Sequence, residues 1–158
     1  MTSFDEMEIP PDILRGVYSY GFEKPSLIQS KAIPEIIKKK DIIAQAQSGT
    51  GKTGAYTIGS LCNIDTSLKC TQILVILPTH ELVNQVMDIY VEFGKFLDIN
   101  VIKLIGGTNL SDNFYDLEKN PEIIIGTPGR ILDMINRNKL ITEGLKMLIF
   151  DEADEILS

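Results

Sequence analysis

Five short apolar runs punctuate this chain, and their spacing limits the folds open to it more than any other feature. They are Ile42 to Ala46, Ile73 to Leu77, Val101 to Ile105, Ile123 to Ile125 and Met147 to Phe150. Each is rich in β-branched residues and lacks the in–out alternation of a strand with one wet face. They therefore read as strands buried on both sides. The segments between them carry helical spacing, as from Glu81 to Phe96, where Leu82, Val86, Ile89 and Phe93 fall on one face. Strands separated by helices predict right-handed crossovers, a mostly parallel sheet and a three-layer α/β sandwich. Upstream, Pro10-Pro11-Asp12 opens a helix with Ile13, Leu14, Val17 and Tyr18 on one face, closed by Gly21. Ser26 caps a second helix, which Pro34 restarts as far as Lys38.

At 158 residues the chain can bury one core and is too short for two ordinary domains. Residues 1–40 read as a helical region packed on a core formed by residues 41–158, one structural domain overall. A net charge of −7 argues against gripping nucleic acid through bulk positive potential. Phosphate contacts from backbone amides, hydroxyls and single basic residues stay open. Lys38-Lys39-Lys40, the one basic cluster, reads as a solvated helix end. No apolar run reaches the roughly 18 residues of a membrane span, so no membrane partner is expected. Cys62 and Cys70 match no metal-ligand spacing and read as reduced thiols.

The chemistry is concentrated at the ends of two runs. Ala46-Gln47-Ser48-Gly49-Thr50-Gly51-Lys52-Thr53 lies between the first strand and a helix expected from Gly51 to about Leu61. This is the context a phosphate-binding loop requires. Glycines let successive amides of Ser48, Gly49, Thr50 and Gly51 turn inward, and the helix N-terminus adds partial positive charge. Lys52 would reach the terminal phosphates, and the Thr53 hydroxyl would ligate magnesium. Ala46 stands where the general pattern has its first glycine. Asp151, ending the last apolar run, supplies the carboxylate such a site needs for the metal, partly through water. Glu152 then stands where it could orient and deprotonate water. The competing readings are a plain glycine turn and an acidic helix start. Each explains one element, and neither explains their pairing. The fold class expected is thus a P-loop NTPase sandwich.

Taken together, these residues resemble the first RecA-like domain of a DEAD-box RNA helicase. Asp151-Glu152-Ala153-Asp154 and the loop at 46–53 carry the likeness. Gly21 to Gln29 resembles the family's Q motif, with Phe4 as its isolated upstream aromatic. Pro78-Thr79-His80-Glu81-Leu82 resembles motif Ia, Gly106-Gly107 the glycine doublet, and Thr127-Pro128-Gly129-Arg130 motif Ib. The resemblance implies ATP or ADP with Mg2+, Phe22 stacking on adenine and Gln29 reading its edge. It implies that Pro78, Thr79, Gly106, Gly107, Thr127, Pro128, Gly129 and Arg130 contact the backbone of single-stranded RNA without reading sequence. Asp154 would signal between domains. His80 departs from the family's arginine, which removes a permanent charge and a forked donor.

The resemblance also implies partners beyond this stretch: a C-terminal RecA-like domain with arginine fingers, and scaffold proteins of translation initiation. Leu14 to Tyr18 and Asp151 to Ser158 look nearest the translation-initiation branch, which is cytoplasmic; a nuclear exon-junction relative is the alternative. In the implied fold a Ser-Ala-Thr strand separates the phosphate-loop strand from the Asp151 strand. Without it two interior edges would be left unpaired, so either those edges pair in an unusual way or, as expected here, the chain is a truncated piece of a longer protein, near-inactive alone. The other functional classes open to the sequence are a non-catalytic nucleotide-binding or partner-docking module and, more weakly, a P-loop kinase.

Overall fold

The computed structural model describes residues 3–7, 9–21, 41–44 and 52–151. Its strands, β1 (Asp41–Ala44), β2 (Ile73–Ile76), β3 (Val101–Leu104), β4 (Ile123–Gly126) and β5 (Met147–Asp151), coincide closely with the five apolar runs. They form one sheet in the order β1-β5-β2-β4-β3, with every neighbouring pair parallel. Parallel neighbours need crossovers, and helices supply them. α2 (Lys52–Leu61) follows β1, α3 (His80–Phe93) follows β2, α4 (Leu110–Glu118) follows β3 and α5 (Pro128–Asn136) follows β4. Among the described residues, a 3-10 turn, Phe4–Met7, and α1 (Pro11–Tyr20) precede the sheet. The second helix expected from Ser26 to Lys38 and the Lys38-Lys39-Lys40 cluster lie outside the described residues.

Both faces of the sheet are covered, which is why the strands lack polar alternation. Ile73, Val75, Ile123, Ile125, Met147 and Ile149 enter a core shared with α1, α2 and α3. Leu74, Ile102, Leu104 and Ile124 enter a second core with Leu117 of α4 and Ile131 and Met134 of α5. The three-layer α/β sandwich is the architecture found. Among the described residues no helix is long and apolar enough to cross a membrane.

Of the two outcomes open for the interior edges, pairing is the one found. β1 does not face an unpaired gap. It pairs directly with β5, from Asp41 opposite Leu148 to Ala44 opposite Asp151. Unpaired backbone amides and carbonyls at an interior edge are costly, so two such edges gain by closing on each other.

At the opposite side of the first core, α1 docks on the end of α3. A Cβ on Gly16 would lie 2.1 Å from the Phe93 carbonyl oxygen, so the helices meet at backbone contact. The Arg15 guanidinium stacks 3.9 Å from the Phe96 ring, and Tyr20 meets Phe93 edge-on. Phe4 is fully buried and packs edge-on against Tyr18. The upstream aromatic is thus spent on holding α1.

Candidate functional site

Because the strands are all parallel, their C-terminal ends gather along one edge, where α/β sheets bind ligands. Register aligns Ala44 with Asp151, Ile76 with both Phe150 and Gly126, and Leu104 with Gly126. The edge therefore has two halves. β1 and β5 bring the phosphate-loop strand beside Asp151. β2, β4 and β3 bring together the starts of Pro78-Thr79, Thr127 to Arg130 and Gly106-Gly107.

In the first half, Lys52 opens α2 and forms a buried ion pair with Oδ1 of Asp151. Tyr56, one turn along the helix, donates its hydroxyl to Oδ2 of the same carboxylate at 3.1 Å. Burial first, and the Asp151 charge second, push the Tyr56 phenol well above its ordinary pKa, so it stays a donor. Lys52, the residue expected to reach the terminal phosphates, here meets Asp151. A buried ammonium is stable only beside a counter-charge, and the Asp151 carboxylate supplies one. Phe22, Gln29, Ser48, Gly49, Thr50, Gly51, Glu152 and Asp154 lie outside the described residues.

Asp151 and Thr53 offer a carboxylate and a hydroxyl, hard oxygen donors that suit Mg2+. Among the described residues no group of three or more His, Cys, Asp or Glu side chains could hold a metal by itself.

The second half is built on helix starts. Thr79 caps α3, its Oγ1 accepting from the Leu82 amide at 3.2 Å, which leaves the hydroxyl proton free to donate outward. His80, the first residue of the helix, is exposed, and its Nε2 faces Gly106. Gly107 adopts φ +82, a conformation that side chains rarely tolerate, so this half of the doublet is demanded by the turn itself. Thr127 stands at the N-cap of α5 with no side-chain capping bond, followed by exposed Pro128 and Gly129. Arg130 reaches back across the edge. Its Nη1 donates to the Thr108 carbonyl at 3.2 Å, to Thr108 Oγ1 and to Asn113 Oδ1. The rest of its fork carries further donors.

Three residues of this edge escaped the sequence reading: Tyr56, Thr108 and Asn113. Tyr56 lies three and four positions after Thr53 and Lys52, the spacing at which helical side chains share a face, and that was a usable signal. Thr108 and Asn113 carried none. A cavity of about 460 Å³ lies at the other end of the sheet, before β2, β4 and β5, lined by Cys70, Leu117, Lys139 and Gly144 among others. It contains none of the motif residues. Both Cys62 and Cys70 are free thiols.

Comparison with known proteins fits this edge. "ATP-dependent RNA helicase eIF4A" of Neosartorya fischeri is 51% identical over 156 residues, covering 99% of this chain and 39% of its own length. The protein of the same name from Neurospora crassa matches to the same extent. This chain thus spans well under half the length of these relatives. Among solved structures, S. cerevisiae Dbp5 bound to Gle1 and IP6 superposes with a TM-score of 0.85 at 33% identity, over 99% of this chain and 40% of that one. Dbp5 bound to RNA and ADP BeF3 gives 0.82 at 31% identity, over 95% and 38%. The family profile described as DEAD/DEAH box helicase matches residues 26–158, a stretch that holds the phosphate loop, Pro78 to Leu82, Gly106-Gly107, Thr127 to Arg130 and Asp151. With sequence, architecture and edge in agreement, the chain belongs to the DEAD/DEAH box helicase family.

Proposed function

We propose that this chain is the ATP-binding, RNA-contacting domain of an ATP-dependent RNA helicase acting in translation initiation. The observation that carries the reading is the shared strand edge, where Lys52 and Asp151 adjoin the helix starts at Thr79 and Thr127. Phe22 stacks on adenine while the Gln29 amide reads its edge. The amides from Ser48 to Gly51 and the start of α2 cradle the phosphates. Lys52 would reach the terminal phosphates, and Asp151 with the Thr53 hydroxyl would hold the metal. Magnesium, when bound, neutralises phosphate charge and orders the chain of phosphoryl groups. Glu152 orients the attacking water and takes its proton.

Arginines from a second RecA-like domain complete the site. An arginine finger is worth ~10³–10⁵ in rate in related P-loop enzymes, so efficient hydrolysis depends on those arginines. Asp154 passes the nucleotide state to that domain. Thr79, Gly107, Thr127, Gly129 and the free part of the Arg130 fork hold the RNA backbone. Such binding ignores base identity and weakens with salt. His80 lowers affinity relative to an arginine there. Initiation scaffold proteins are the further partners, and the cytoplasm the site of action.

Calorimetric titration of the purified chain with ADP and Mg2+ tests this. Binding is expected, GDP is expected to bind far more weakly, and Lys52→Ala is expected to abolish binding while native circular dichroism is retained. A folded wild-type chain that binds no ADP would overturn the reading.

A further inference from the structure

We infer that Tyr56 is a positioning residue for the metal-holding carboxylate, fixing Oδ2 of Asp151 so that Oδ1 is the oxygen presented to Lys52 or to the ion. The inference rests on the nucleotide reading above and adds to it a residue outside the phosphate loop and the acidic run.

Asp151 is the last residue of β5 and is buried. Its carboxylate can turn about a soft, roughly two-fold torsion, so its two oxygens are interchangeable unless a neighbour distinguishes them. Tyr56 does so. Its hydroxyl donates to Oδ2 at 3.1 Å from a helix that begins four residues earlier at Lys52, which holds Oδ1. A hydrogen bond to an ionised oxygen is among the stronger kinds, so this one resists rotation of the carboxylate.

The phenol is itself immobile. Tyr56 is 1% exposed, and its ring lies 6.4 Å from that of fully buried Tyr90 of α3. The Tyr90 hydroxyl pairs with Ser60 Oγ at 2.7 Å, and Ser60 bonds the Thr57 carbonyl at 3.1 Å. Swinging Tyr56 away would break into this layer between α2 and α3. A phenylalanine at this position would fill the same space and lose only the hydroxyl.

The division of labour yields a specific test. Loop amides and Lys52 bind phosphates whether or not a metal is present, whereas Asp151 matters through the metal. ADP binding to wild type and Tyr56→Phe is to be titrated in EDTA and across a Mg2+ series. Affinity in EDTA is expected to match within about two-fold. The Mg2+ concentration giving half-maximal enhancement of ADP binding is expected to rise about tenfold, in keeping with loss of one hydrogen bond to a charged group. In an Asp151→Asn background the further Tyr56→Phe change is expected to leave the Mg2+ requirement unmoved, because its effect runs through that carboxylate. Mn2+ in place of Mg2+ gives a direct readout, with an altered electron paramagnetic resonance spectrum for ADP–Mn2+ on Tyr56→Phe. A merely structural role would lower metal-free and metal-bound affinity together. Equal losses in both arms, or no change in either, would overturn this inference and leave the nucleotide reading standing. Absence of ADP binding by the wild type would overturn both.

Discussion

Lys52 and Asp151 are ninety-nine positions apart in the chain and share one buried ion pair, with both side chains under a tenth exposed. Each was legible as a functional residue, because the glycine loop and the apolar strand mark their places. Their partnership was not, since no local pattern says which way a buried ammonium turns. The arrangement has a measurable consequence. Removing one member of a buried pair leaves the other uncompensated, at a typical cost of about 3–5 kcal/mol. Lys52→Ala should therefore lower unfolding free energy by about 3 kcal/mol in urea titration, and adding Asp151→Asn should recover part of that loss, since a neutral amide is cheaper to bury. A loss below about 1 kcal/mol for the single variant would mean that the pair is effectively solvated. Arg130 teaches the same lesson at the other half of the edge. Its motif identified it, yet its ties to Thr108 and Asn113 join α5 to the glycine turn and to α4, and these depend on a fold-level approach.

The helices were the most readable elements, because their signals are local. Pro11 opens α1 and Gly21 caps it as expected, whereas α3 ends at Phe93, three residues before the expected Phe96, with Gly94 following. How α1 sits was less readable. Its contact with α3 depends on Gly16, where a methyl group would lie 2.1 Å from the Phe93 carbonyl oxygen and 2.6 Å from its carbon. Alanine is better than glycine in a helix by about 1 kcal/mol, but overpacking against a backbone that cannot yield typically costs 1–3 kcal/mol. Gly16→Ala is accordingly expected to destabilise the chain by about 2 kcal/mol and to speed proteolysis near residues 3–21. A more stable variant would show that α1 packs elsewhere in solution. The Thr79 cap belongs to this scale as well, since one hydroxyl both starts α3 and faces the proposed RNA path.

At the scale of the whole molecule, the first core holds three groups that titrate against the fold. Burial raises the Cys62 thiol from 9.0 to about 12, and it raises the Tyr56 and Tyr90 phenols above 10.0. All three are protonated in the folded chain. In the unfolded chain they release protons at their ordinary values, so above those values the unfolded state binds fewer protons and stability falls as pH rises. These groups leave stability flat up to about pH 9, with the thiol starting the decline there and the phenols steepening it past about pH 10. Denaturant midpoints measured from pH 7 to 11 should follow that profile. Cys62→Ala should remove the earliest part of the decline, and an unchanged midpoint through pH 11 would contradict the burial of all three.

The sequence by itself determined the five strands, the helices between them, the parallel three-layer class and the family, because burial on both faces, helix caps and loop chemistry are written in residues close together. It also predicted which strand ends would carry chemistry, since parallel crossovers send them all to one edge. Tertiary structure alone decided which strand lies beside which. β1 closes on β5 where another strand was expected between them, and that pairing follows from the general need of exposed backbone groups for partners. It likewise decided that a tyrosine on α2 would hold an aspartate ninety-five residues away. Contacts of that range are set by how whole elements approach, after the local rules have been satisfied.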